Sequence, residues 1–210
     1  MIFDVGAKAN YFIGTLINLG IKVFLAKAKC IGGPFLMVML TACSQVKVTD
    51  YQNNQPVLDA EVFFNGHLAA HGVVKNRAGK VIRYFNADIL ATWHQGVGTL
   101  EEFFIFDDGE EQKRVWILKP LANGHYSATA GDVTGEGKMQ VSGNSVFLNY
   151  VLQVPYKGRS LDITVDDRMY LVDSTTLVNE SKMYKFGFRV GEVLLVIRKL
   201  PSSALVSKEK

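Results

Sequence analysis

Turn signals recur along this chain at intervals of 11 to 20 residues, and that rhythm constrains the fold more than any other feature. From Leu58 onward they fall at Asn65-Gly66, Asn76 to Gly79, Gln95-Gly96, Asp107 to Glu110, Asn123-Gly124, Gly143-Asn144, Pro155 to Gly158, Asp173-Ser174 and Gly187. Asn-Gly and Asp-Gly pairs tolerate the left-handed backbone of tight hairpins, and the intervals leave room for long strands with short connections. The intervening segments alternate. In SVFLNYVLQV one face carries Val146, Leu148, Tyr150, Leu152 and Val154, and the other carries Phe147, Asn149, Val151 and Gln153. In KRVWIL, Arg114, Trp116 and Leu118 oppose Lys113, Val115 and Ile117. GEVLLVIRKL ends the series before Pro201.

No long amphipathic helix pattern follows Cys43. The fold class is therefore all-β. About nine antiparallel strands in sequence order close most economically into an up-and-down β-barrel, because closure removes exposed strand edges. A β-sandwich is the second choice. Barrels of this size have room for one small ligand.

The N-terminal part has a different character. An apolar stretch, GGPFLMVMLTACSQ (residues 32–45), stops at Cys43 and gives way to polar sequence. It is too short for a transmembrane helix, which needs about 20 apolar residues, and Gly-Gly-Pro is a poor helix interior. Lys27 and Lys29 before it, and small residues at its end, fit a secretory signal. Leu40-Thr41-Ala42-Cys43 matches the lipobox of bacterial lipoproteins, in which the cysteine thiol is acylated and the chain is cut between Ala42 and Cys43. The expected organisation is a signal peptide over 1–42, a lipidated tether over 43–57, the barrel over 58–200 and a flexible tail over 201–210. Residues 1–26 are either an extension ahead of a true start near Val23 or Leu25, or an uncleaved amphipathic segment.

Charge follows from this. Residues 1–42 hold Lys8, Lys22, Lys27 and Lys29 against Asp4, so the chain's formal charge of +3 falls to zero without them. Nothing then points to nucleic acid. The chain has 2 cysteines, Cys30 and Cys43, one removed and one acylated, which leaves no disulfide. Ser44 stands where Asp would signal inner-membrane retention. The expected location is the outer membrane, anchored through N-terminal acyl chains and facing the periplasm.

FFNGHLAAHGVVKNRAGKVIRYF (63–85), LEEFFIFDDGEEQKRVWIL (100–118), YSATAGDVTGEGKMQVSGNSVFLNYVLQVP (126–155) and DDRMYLVDSTTLVNESKMYKFGFRVGEV (166–193) resemble domain-of-unknown-function family 3833, a group of Gram-negative lipoproteins. The resemblance implies a lipocalin-like fold and brings no activity with it. An association with genes of fatty-acid modification points towards lipids. It also leads us to expect Trp where this chain has Arg168, and Arg where it has Glu180.

Signals of catalysis are sparse. His67 and His71 are spaced four apart, but on a strand that spacing separates them by roughly 13 Å, which suits solvated side chains better than a metal. Asp107-Asp108-Gly109-Glu110 reads as hairpin-turn chemistry. Asp166-Asp167 interrupts the alternation of LDITV and is expected to mark a bulge that re-aims Arg168 and Tyr170. GDVTGEG (131–137) lacks a phosphate-binding pattern and reads as a loop or bulged strand. No nucleophile elbow is present. We therefore expect no enzyme, no metal and no cofactor.

The candidate ligand residues are Arg83, Arg114, Trp116, Asn149, Tyr150, Arg168 and Tyr170, each within a strand. A buried arginine beside an aromatic ring would suit a fatty-acid carboxylate or lipid head in an apolar cavity. The competing expectation is a barrel packed solid, acting through protein partners on its surface.

Overall fold

The computed structural model describes residues 45–156 and 158–201. The expected signal peptide over 1–42, Ala42 and Cys43 of the expected cleavage site, and residues 202–210 of the expected tail lie outside the described residues. Ten strands close into one antiparallel barrel in the order β1-β10-β9-β8-β7-β6-β5-β4-β3-β2. They are β1 (Gly66–Asn76), β2 (Val81–His94), β3 (Val97–Phe106), β4 (Glu111–Pro120), β5 (His125–Thr129), β6 (Gly137–Ser142), β7 (Ser145–Tyr156), β8 (Arg159–Leu171), β9 (Thr176–Lys185) and β10 (Phe188–Lys199). Each strand pairs with its sequence neighbour, and β1 closes the ring by pairing with β10 from Leu68–Lys199 to Asn76–Gly191. The antiparallel up-and-down barrel read from the sequence is the fold.

One strand more is present than the turn rhythm predicts, for a local reason. Residues 124–143 form two short strands, β5 and β6, around the GDVTGEG segment. That segment does not continue the ladder as a hairpin. It folds onto β7 instead, with Val133 bridging Leu152, the Thr134 N–H donating to Val151 O at 2.9 Å and the Gln153 N–H to Asp132 O at 2.7 Å. The wall is thus completed by irregular chain, and Asp132 is held at it.

The expected bulge at Asp166-Asp167 is absent. β8 pairs without interruption with β7 from Tyr170 to Arg159 and with β9 from Leu171 to Thr164. Register shifts occur elsewhere, between Val74 and Lys75 and between Arg189 and Gly191. Continuous pairing keeps strict alternation, so Ile163, Val165, Asp167 and Leu171 are buried while Asp166, Arg168 and Tyr170 face outward.

One end of the barrel is filled. The segment read as a polar tether is, in its described part, packed on the barrel. A 3₁₀ turn (Val48–Tyr51) buries Val48, and Tyr51 lies against Phe147 and Tyr170 at ring distances of 5.9 and 5.4 Å. Leu58 is fixed by its N–H to Gly143 O at 2.8 Å. A single-turn helix, α1 (Ala60–Phe63), is capped by Asp59, which accepts from the Glu61 and Val62 N–H groups at 2.9 and 3.1 Å. Leu58, Phe63 and Phe64 join the buried core with Leu68, Ala91 and Leu177. Each such side chain contributes about 1.5–3 kcal/mol when fully buried. The Trp93 indole donates to Phe64 O at 2.5 Å, and Lys199 donates to Val62 O, which locks the plug to β2 and β10.

Candidate functional site

The opposite end is hollow. Alternation sends one side chain in two into the barrel. Towards the β1–β2, β3–β4 and β9–β10 turns these side chains do not meet across the interior. They enclose a cavity of about 650 Å³ lined largely by apolar groups, among them Phe85, Phe104, Leu152, Val165, Met183 and Leu195. Volumes of this size are typical of sites that enclose a small molecule. At the mouth the β9–β10 turn exposes Phe186 and Phe188, at 87% and 66% relative accessibility.

A band of polar side chains crosses this apolar wall. Glu102 on β3 stands opposite Arg114 on β4. The Arg114 guanidinium grips Asp132 through Nε at 3.0 Å and Nη2 at 2.7 Å. Trp116 lies below, edge-on to Tyr150 of β7 at 5.2 Å between ring centres. Asp167 on β8 accepts from Ser181 Oγ at 2.8 Å and from the Asn179 amide, both on β9. Among the described residues the Tyr150 hydroxyl, which lines the cavity, has no hydrogen-bond partner.

Burial among apolar groups changes the protonation of this band. It pushes the Glu102 carboxyl up to about 7 from 4.5, with Asp167 and Asp132 adding to the rise while Arg114 and a hydrogen bond from Trp116 oppose it. Asp167 is pushed up to about 6 from 3.8, again chiefly by burial, against the hydrogen bonds from Asn179 and Ser181. Burial raises the Tyr150 hydroxyl well above its ordinary range, so it stays protonated. Burial acts against the Arg114 charge, yet the carboxylates of Glu102 and Asp132 outweigh it and keep the guanidinium charged.

A second cluster sits nearer the mouth. Arg83 on β2 donates through Nη2 to Asp108 and Glu110 of the β3–β4 turn, each at 2.8 Å. Its guanidinium carbon lies 3.6 Å from the centre of the Phe106 ring, a cation–π contact that covers one face of the charge.

With this geometry established, comparison with known proteins assigns the chain. The model of the protein family of unknown function DUF3833 matches residues 37–199. The chain belongs to the DUF3833 family. No curated protein matches it. Two solved structures are similar to parts of it at low identity. One is a protein of unknown function from the DUF3598 family of Nostoc punctiforme, at 12% identity and a TM-score of 0.49 over 70% of this chain and 51% of the other. The chain therefore spans about half the length of that protein. The other is EF1p2_mFAP2b bound to DFHBI, at 8% identity and a TM-score of 0.38 over 67% of this chain and 98% of that one.

In this DUF3833 barrel the seven strand residues singled out from sequence divide between two faces. Arg83, Arg114, Trp116 and Tyr150 line the cavity. Asn149, Arg168 and Tyr170 point outward and contribute nothing to it. Arg168 pairs with Asp166 at 2.9 Å and lies 4.7 Å from the Phe147 ring centre. Tyr170 packs on Tyr51 and Phe147. The two departures expected from the family, Arg168 and Glu180, are opposite one another on the outer face of β8 and β9, so they do not shape the cavity. His71 also faces outward, bonded through Nδ1 to Asn86 Oδ1 at 2.7 Å.

Glu102, Asp132, Asp167, Asn179 and Ser181 were not anticipated. For two of them a signal existed. Glu102 is in phase with Leu100, Phe104 and Phe106, and Asp167 is in phase with Ile163, Val165 and Leu171. A charged residue in step with an apolar face is a buried charge.

Proposed function

We propose that this DUF3833 protein is a lipid-anchored, non-catalytic carrier or sensor that holds a hydrophobic molecule of lipid class inside its barrel. The single observation that carries this is the half-filled interior, in which an apolar cavity of about 650 Å³ opens at one end. A barrel serving only as a surface for partners gains stability by filling such a space, since buried voids cost contacts. The proposed location is the outer membrane, facing the periplasm, through acyl chains on Cys43. The lipobox supports the anchor, and Ser44, standing where Asp would signal inner-membrane retention, supports the outer membrane. The plug formed by residues 45–64 joins the barrel at its closed end, which would direct the mouth away from the anchoring membrane.

The test is a native mass spectrum of the chain carrying Cys43→Ser, purified from the envelope. A discrete added mass that separates as a lipid on denaturation is the expected result. A bare chain that takes up nothing from an envelope lipid extract would end the proposal and favour the protein-partner alternative.

A further inference from the structure

Charge inside the cavity is unevenly distributed. Glu102, Asp132 and Asp167 stand around a single interior guanidinium in the polar band, that of Arg114. This guanidinium is already committed, because Asp132 occupies both Nε and Nη2. Arg83, the other arginine of the wall, is engaged by Asp108, Glu110 and the Phe106 face. A ligand carboxylate or phosphate entering the band would therefore displace an existing ion pair, or lie against Glu102 and Asp167 with like charge where water does not screen it. A head group that donates hydrogen bonds meets the reverse situation. Carboxylate oxygens of Glu102 and Asp167 accept, and the Tyr150 hydroxyl is unengaged among the described residues.

Resting on the carrier function above, we infer that the bound amphiphile presents an uncharged or cationic, hydrogen-bond-donating head, a hydroxyl or an amine, to the wall formed by Glu102, Tyr150 and Asp167. Free fatty-acid anions are disfavoured ligands. This narrows the expectation drawn from sequence, in which a buried arginine awaited a carboxylate. The arginines are present, but the protein supplies their carboxylates itself.

The experiment compares three probes that share one alkyl chain and differ only at the head: decanoic acid, decanol and decylamine. Each is titrated calorimetrically into the full chain carrying Cys43→Ser at a pH of about 8, where both cavity acids are largely ionised. Decanol and decylamine should bind at least about tenfold more tightly than decanoate, and substituting Glu102→Gln with Asp167→Asn should narrow that gap to about threefold or less. Decanoate binding as tightly as decanol overturns the inference while leaving the carrier function standing. A gap that survives the double substitution also overturns it, because the selection then comes from elsewhere. If none of the three binds, the carrier function fails and the inference with it. The comparison of heads on the unsubstituted cavity needs no variant to fold.

Discussion

Arg114 and Asp132 form a two-point ion pair inside the barrel, with Nε and Nη2 of the guanidinium reaching Asp132 Oδ2 at 3.0 and 2.7 Å. The pair joins a regular strand, β4, to the irregular segment that patches the wall between β5 and β6. It also withholds from any ligand the one guanidinium of the polar band. Asp132→Ala should therefore do two opposite things. Leaving Arg114 without its carboxylate should destabilise the fold by about 1–3 kcal/mol, and freeing the guanidinium should strengthen decanoate binding. Urea unfolding and decanoate titration of the variant report the two effects separately. Unchanged stability together with unchanged decanoate affinity would show that the pair neither holds the loop nor guards the cavity.

The cavity acids make stability depend on pH in an unusual direction. Glu102 moves from 4.5 to about 7 on folding and Asp167 from 3.8 to about 6, both chiefly through burial. Of the groups facing them, Arg114, Trp116, Asn179 and Ser181 moderate these shifts without reversing them, while Asp132 adds to the rise at Glu102. Each acid binds its proton more tightly in the folded state. Its contribution is complete below the unfolded value and is lost as pH rises through 6 and then 7. Between about pH 5 and about pH 8 the empty protein should thus lose about 2 kcal/mol more stability than its Glu102→Gln variant. Parallel unfolding free energies for the two proteins across that window would contradict the assignment.

What sequence reveals of this molecule follows the reach of its interactions. The phase of Arg114-Trp116-Leu118 and of Val146-Leu148-Tyr150 was legible because alternation is a local property, but which face turns inward was not, and the structure puts these six on the inner face. The same rule already forbade Asn149 from joining Tyr150 inside, since adjacent strand residues face opposite ways. Asp167 was misjudged for a non-local reason. An aspartate among apolar residues looks like a break, and only Asn179 and Ser181 on the neighbouring strand make its burial tolerable. Arg168 and Tyr170 were then assigned with it to a bulge that does not exist. Asp132 was invisible because its place depends on a loop lying along β7. The plug was concealed because its apolar residues are too sparse to show a period: Val48 lies in the polar segment read as a tether, and Leu58, Phe63 and Phe64 follow at the start of the span assigned to the barrel.

The plug depends on one glycine. A Cβ on Gly143 would lie 1.8 Å from the Tyr51 carbonyl oxygen, and the residue has a φ of +55°. Backbone cannot rotate aside as a side chain can, so Gly143→Ala must displace the 3₁₀ turn or the β6–β7 hairpin. A loss of about 2–4 kcal/mol is expected, combining backbone strain with lost packing. Limited proteolysis should cut earlier within residues 45–64 of the variant. A proteolysis rate and unfolding midpoint equal to those of the parent would show that the plug is not seated through this contact.

Val48 is buried on the barrel, and five residues at about 3.3 Å each allow about 16 Å between it and Cys43. An acylated Cys43 would hold the barrel's closed end near the bilayer rather than leave the domain on a long leash. Cys43→Ser removes the thiol that the acyl chain needs, and one soluble chain cannot replace that attachment. The variant should leave the membrane fraction or accumulate unprocessed, and it should no longer incorporate labelled palmitate. A fluorophore on Gly187→Cys, at the β9–β10 turn, should remain unquenched by spin-labelled lipid in the anchored protein. Normal processing and membrane attachment of Cys43→Ser would refute the anchor, and strong quenching at residue 187 would refute the orientation.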